Sequence, residues 1–336
     1  MIRRVKCDFS ILLLAFFFVT STFAESIKFA TLAPKTSSWM KIFRAMGREI
    51  KEKSGGELEI RFYPDGVQGD EADVIKKMRA GLLHAGAMTS VGLGEIQESV
   101  LIFQAPRLFH TYEELDYVRD RLRNQLDKAF EEAGYILLGW GDIGYYYIFS
   151  NQPIASIDGF HNSNIKMWVR VGDPVGIHFF KDIEVVSVPL SVSQVLPSLY
   201  SGRINALVVS PLACVALQWY PKLKYMMDLP LAIGVGATVI TKEKYDRLSS
   251  QAQQILRETA QKYHQELVQQ VRKDNDRSIE ALKKKAGIQI VPVDETEQKR
   301  WDEFSTKVQN ELAGKVYPKE LLEQVNALLS EYRTGR

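Results

Sequence analysis

The chain is poor in cysteine. Of 336 residues only Cys7 and Cys214 are cysteine, and Cys7 falls in a stretch expected to be removed. That leaves no internal disulfide, so the fold must be held by apolar burial, which a 46% hydrophobic composition permits. An excess of either charge is missing as well. Lys plus Arg number 43 and Asp plus Glu 41; taking away the three basic and one acidic residues of the first 24 leaves 40 of each. A neutral chain of this kind has no electrostatic footprint for nucleic acid.

Catalytic signatures are absent too. The five histidines, His84, His110, His161, His178 and His264, are scattered, and no two have the i,i+4 spacing that sets a zinc pair on one helix face. There is no Gly-x-Ser-x-Gly elbow and no phosphate-cradling glycine loop. "GVGAT" from Gly234 lacks the later glycine and the following helix of a dinucleotide fingerprint. Asp142 and Asp173 are the only acid–base candidates that remain. Neither a metal nor a cofactor is expected.

Long apolar runs are scarce. One, Phe9–Thr20, follows the basic residues Arg3, Arg4 and Lys6 and precedes the small-residue site ending at Ala24. It is short of the roughly 20 residues a spanning helix needs, and reads as a cleaved signal peptide over residues 1–24. No second run is long enough to span a membrane, so the mature chain is expected to be exported and not membrane-embedded.

What the chain does contain is a repeated alternation of strand and helix. "SIKFATLAP" reads as a buried strand, and "TSSWMKIFRAMGREIKEKSGG" as a helix capped near Ser37 and ended by Gly55-Gly56. "ELEIRFYP" alternates as a half-buried strand, "GDEADVIKKMRAGLL" is a short helix, and "HAGAMTSV" a strand of small residues. The pattern recurs after a helix over Tyr112–Ala133. "YILLGWGD" and "YYYIFSN" read as strands, as do "IKMWV", "EVVSVPL" and "INALVVS", with helices starting at Asp173, Ser191 and Ser210. This predicts an α/β fold with a mostly parallel sheet. Lys242 to about Lys285 holds no proline or glycine and reads as one long helix crossing the molecule.

The strand-to-helix junctions are the first pointer to a site. Asp173-Pro174 and Ser210-Pro211 place a capping residue before a proline suited to the first helical position, and Ser191 with Gln194 forms a capping box. In open α/β sheets such helix starts face a common crevice beyond the strand ends. Trp39, Trp140, Trp168 and Trp219 lie at element ends, where a ring lines a pocket or packs in the core. Tyr145, Tyr146 and Tyr147 share one strand start, so that neighbours in the run face opposite ways.

The chain resembles the solute receptors of TRAP (tripartite ATP-independent periplasmic) transporters. The resemblance is carried in order by "IKFATLAPKTSSW", "EKSGGELEIRFYPDGVQGDEADVIKKMRAGLLHAG", "SVPLSVSQVLPSLYSGRINALVVSPLACVALQWYPKLKYMMDLP" and "KKKAGIQIV". It implies a two-lobed periplasmic binding protein fold with a ligand cleft, hinge strands and a long helix crossing both lobes. The expected division is residues 25–144 with about 230–260 in lobe I, and residues 145–229 with about 261–336 in lobe II. It implies a periplasmic, non-enzymatic receptor of the Gram-negative type, with integral membrane subunits as partners. The ligand would be an organic acid or a more apolar, amphipathic carboxylate. A ligand-sensing module for a membrane receptor is the alternative, since it would share the cleft.

The resemblance also singles out residues. The family's carboxylate clamp is an arginine two positions after the lysine of a Lys-x-Arg strand; here Lys166-Met167 leads to Trp168, and Arg170 comes two residues later on the same strand face. Tyr146 falls at about the place where some acid-binding members keep a second arginine, and Ser210 stands where an asparagine is often found. Thr89, Ser90, Trp39 and Asp173 complete the expected ligand-binding set. Two arrangements are open: Arg170 enters the cleft and holds a carboxylate, or Trp168 and a tyrosine stack on an apolar ligand with Arg170 at the rim.

Overall fold

The computed structural model describes residues 25–161 and 163–335. The expected signal peptide, residues 1–24, lies outside them. Among the described residues no helix is long and apolar enough to cross a membrane.

The first unit alternates strand and helix as the sequence predicts: β1 (Glu25–Thr31), α1 (Ser38–Lys53), β2 (Leu58–Tyr63), α2 (Glu71–Arg79) and β3 (Ala85–Thr89). β1 pairs in parallel with both β2 and β3. Ser37 caps α1 by accepting from Met40 N, and Asp70 caps α2 through a capping box with Asp73. A short helix, α3 (Ser90–Gly94), and a 3-10 turn, Glu98–Gln104, follow β3. Sequence periodicity gives no sign of either, because both are too short to develop a face. α4 (Tyr112–Glu132) leads into β4 (Tyr135–Ser150).

β4 is one strand of 16 residues where the sequence suggests two. Gly144, at φ 113°, absorbs a register shift between Asp142 and Gly144 and lets the strand continue. The second unit consists of α5 (Ile157–His161), β5 (Lys166–Arg170), α6 (Pro174–Asp182), β6 (Val186–Leu190), α7 (Val192–Ser201), β7 (Ala206–Val209), α8 (Pro211–Ala216) and β8 (Tyr225–Met227). β9 (Ala232–Thr241) then returns antiparallel to both β3 and β4. The strand order is β2-β1-β3-β9-β4-β7-β5-β6, with β8 bridging β4 and β10 (Gln289–Val291). The sheet is thus parallel at its flanks and antiparallel at its centre, not mostly parallel throughout.

The stretch read as one helix from Lys242 is two. α9 (Lys242–Asp246) ends, and α10 (Ser250–Ala286) restarts where the Ser249 hydroxyl accepts from Ala252 N. At 37 residues α10 runs roughly 55 Å. Its buried positions recur at helical spacing. Leu256, Leu267 and Val271 join the apolar cluster of β1 and α1, and Leu282 joins that of β5, β7 and α8. α11 (Glu295–Leu312) stacks Trp301 on Phe179 of α6, and α12 (Lys319–Thr334) packs on α4.

Polar side chains fix α10 to β4. Arg272 donates from Nε to Asp142 (2.6 Å) and from both Nη atoms to Asp116 (2.8 and 2.7 Å), while Arg119 donates to Asp142 at 2.8 Å. Asn275 donates to Ile143 O at 2.9 Å and accepts from Leu212 N at 3.1 Å, joining the β4 irregularity to α8. Gly144 is required there, since a Cβ would lie 2.2 Å from Asn275 Nδ2.

His264 of α10 is buried under the central strands. Its Nδ1 lies 2.7 Å from Ala260 O and its Nε2 2.7 Å from the Thr238 hydroxyl. A carbonyl only accepts, so Nδ1 carries the proton and Nε2 accepts from Thr238. Burial lowers the His264 pKa from 6.5 to about 4. The unfolded chain therefore takes up a proton near pH 6.5 that the native ring refuses until about pH 4, and stability falls as pH drops through that window. Unfolding free energies of wild type and His264→Asn, measured between about pH 7 and pH 4, are expected to converge by up to about 1.4 kcal/mol per pH unit. A gap that does not change with pH would refute the buried neutral ring.

Candidate ligand-binding cleft

Tyr146 pairs with Ala232 of β9, and the next residue of β4, Tyr147, pairs with Val209 of β7. β4 changes neighbours at this point. In an open sheet such a switch leaves a crevice beside the strand ends. A cavity of about 220 Å³ lies here, bordered by β3, β4, β5, α6 and α8. Its walls are chiefly apolar: Phe43, Trp168, Val175, Phe179, Phe180 and Trp219 all face it.

Six of the eight residues singled out from sequence border this cavity: Trp39, Thr89, Tyr146, Trp168, Arg170 and Asp173. Ser210 and Ser90 do not. Ser210 is fully buried and caps α8, its hydroxyl accepting from Ala213 N at 3.3 Å. Ser90 donates to Gln104 Oε1 at 2.6 Å and so sets that amide, whose Nε2 donates to Asp173 Oδ1 at 2.9 Å.

Trp168 and Arg170 occupy one face of β5 but have different surroundings. Trp168 is 6% exposed, donates its indole N–H to Leu190 O at 3.0 Å, and meets Trp219 edge to face at 5.0 Å. It is a fixed wall. Arg170 donates from Nη1 to Glu71 Oε2 (2.9 Å) and to the Thr89 hydroxyl (2.6 Å). Among the described residues its Nε and Nη2 make no hydrogen bond. Burial opposes the Arg170 charge, yet Glu71, Tyr146, Asp70 and Asp173 outweigh it and raise its pKa.

Asp173 caps α6 through Oδ1, which accepts from Val175 N (3.1 Å) and Gly176 N (3.0 Å) as well as from Gln104. Burial raises its pKa against the pull of those donors and of Arg170. The Tyr146 hydroxyl has no partner among the described residues, and burial pushes its pKa up. Its ring lies over β9 only because residue 234 is glycine: a Cβ there would fall 2.4 Å from the ring.

Glu71 and Gln104 border the cavity without any sequence signal for it, and Trp219, marked in the sequence only as a ring at an element end, borders it too. Glu71 stands one residue after a helix cap, a place where acidic residues are ordinary. Gln104 lies in a 3-10 turn without periodicity. Asp142 also borders the cavity, but its carboxylate is fully taken up by Arg119 and Arg272.

A model of the family described as bacterial extracellular solute-binding protein, family 7, matches residues 29–315. The chain is similar to the 2,3-diketo-L-gulonate-binding periplasmic protein YiaO of Escherichia coli, 25% identical over 300 residues and covering 86% of this chain and 88% of that protein. It is 24% identical over 163 residues to the uncharacterized protein YiiZ of Salmonella typhimurium, covering 48% of this chain and 49% of the other. A solved TRAP periplasmic solute-binding protein from Haemophilus influenzae with bound L-gulonate has the same fold. Its TM-score is 0.83 at 19% identity, with 90% of this chain and 99% of that one covered.

The Tyr146 contact yields a prediction. Gly234→Ala is expected to cost about 1–3 kcal/mol in urea unfolding, as an overpacked site does. In a Tyr146→Ala background that penalty should largely vanish. An equal cost in both backgrounds would mean that the ring does not rest on residue 234.

Proposed function

This chain belongs to bacterial extracellular solute-binding protein family 7, and on that premise we propose that it is the periplasmic receptor of a TRAP-type secondary transporter. It is a solute-binding protein and not an enzyme. The proposed ligand is a small organic acid with one carboxylate and a largely apolar body, handed on to integral membrane subunits.

The observation that carries this reading is the division of labour on Arg170. Nη1 is tied to Glu71 and Thr89, which fixes the plane of the guanidinium. Nε and Nη2 are left, the adjacent pair of donors that meets a carboxylate in two parallel bonds. The apolar walls formed by Trp168, Phe179 and Phe180 suit the remainder of the ligand. Arg170 thus takes the clamping role from the next position along the same strand face. YiaO is named for binding 2,3-diketo-L-gulonate, and the Haemophilus influenzae structure holds L-gulonate. Both are carboxylates, which supports an acid here, whereas the apolar walls favour fewer hydroxyl groups than a sugar acid carries.

The proposed lobes are residues 25–144 with about 230–260, and 145–229 with about 261–336. On that division, Arg170–Glu71 and Gln104–Asp173 both cross from one lobe to the other, as bonds of a closed form would.

Native mass spectrometry of the purified protein is expected to show a small carboxylic acid bound. Arg170→Ala should weaken its binding about 30-fold or more in titration calorimetry, because a buried charge then loses its partner. Unchanged affinity would overturn the clamp and leave stacking on Trp168 as the source of recognition.

A further inference from the structure

Glu71 is an acid on the wall of a cleft that is proposed to receive an acid. Its side chain is only 6% exposed. Oε1 accepts from Thr89 N at 2.8 Å; Oε2 accepts from the Thr89 hydroxyl (2.7 Å), Gly92 N (3.0 Å) and Arg170 Nη1 (2.9 Å). Two backbone N–H groups, a hydroxyl and a guanidinium therefore converge on one carboxylate. Gly92 makes the approach possible, since a Cβ there would lie 2.8 Å from Glu71 Oε2. This donor set would hold a free carboxylate equally well. The chain fills it with one of its own.

We propose that Glu71 is a tethered anion that occupies the second carboxylate site of the cleft, so that the receptor admits monocarboxylates and rejects dicarboxylates. The inference rests on Arg170 holding the ligand's carboxylate, as proposed above. One guanidinium then faces two carboxylates, one internal and one from the ligand. A second ligand carboxylate would have to enter beside Glu71 and Asp173, with no lysine or second arginine among the described cavity-lining residues to meet it. Like charges so placed oppose binding strongly. The remaining donors near the cavity, such as the Tyr146 hydroxyl, are neutral and suit a keto or hydroxyl oxygen.

Removing the tether tests this without the natural ligand. Glu71→Ala strips the cradle of its acceptor, so its melting temperature should fall, and millimolar acetate should restore it saturably. Sodium chloride at equal ionic strength should not. Wild type and Glu71→Gln, whose cradles stay filled, should gain much less from acetate, because only the Arg170 clamp is open to it there. A folded Glu71→Ala that acetate stabilises no more than wild type overturns the proposal. If Glu71→Ala fails to fold, Glu71→Gln decides. It should bind succinate at least about tenfold more tightly than wild type, read from tryptophan fluorescence, since Trp39, Trp168 and Trp219 border the cleft. No gain overturns the proposal. Acetate rescue does not depend on the transported ligand. Failed rescue beside an intact Arg170→Ala effect would therefore remove the tethered anion alone. Intact rescue with no Arg170→Ala effect would remove the clamp, and with it the selectivity argument.

Discussion

Between Tyr146 and Tyr147 one long strand exchanges β9 for β7 as its neighbour, and most of the architecture follows from that exchange. The switch separates a flank built on β1, β2 and β3 from one built on β5, β6 and β7. It also opens the crevice into which Arg170 and Asp173 project from one side, and Glu71, Thr89 and Gln104 from the other. A strand that passes through such a point needs support from outside the sheet. α10 supplies it, with His264, Arg272 and Asn275 set along one helix face against successive parts of β4 and β9. Glycines 139, 144 and 234 are the counterpart on the strands, each leaving room for a side chain that a Cβ would strike.

Charge inside the molecule is placed with matching economy. Asp142 is wholly buried and is met by two arginines, which also share Asp116. Removing one member would leave an uncompensated buried charge, the costly case, so this network anchors strand to helix and is not an acid–base device. Glu71 and Arg170 form a pair of a different kind. The glutamate is saturated with donors while the arginine is not. Both border the cavity, but only the arginine keeps unused donors there, and the proposed ligand site rests on that asymmetry.

Much of the fold was legible in the chain. The order of strands and helices, the caps at Ser37, Asp173, Ser191 and Ser210, and the stop at Gly55-Gly56 all follow from local chemistry and periodicity. Legibility failed where the deciding partner was remote. β4 looked like two strands because glycines at 139, 141 and 144 break the local pattern. Those at 139 and 144 are present for His264 and Asn275, more than a hundred residues away. The antiparallel centre of the sheet was hidden because a strand's direction leaves no trace in its own composition. Arg170 was recognisable as a candidate from its face on β5. Which of its nitrogens would be free was not, since that depends on Glu71 and Thr89.

The sequence by itself determined that this is an α/β protein without disulfides, held by apolar burial, with capped helix starts gathered at the strand ends and a tryptophan and an arginine together on one of them. Those are properties of residue type and spacing, which act locally. Only the tertiary structure decided that the Ser210 cap is buried away from the cavity, that Trp168 is a wall tied to Leu190, and that Glu71 borders the cavity with its carboxylate already met by four donors. These depend on which groups meet across the fold, and a carboxylate's role is set by the donors around it.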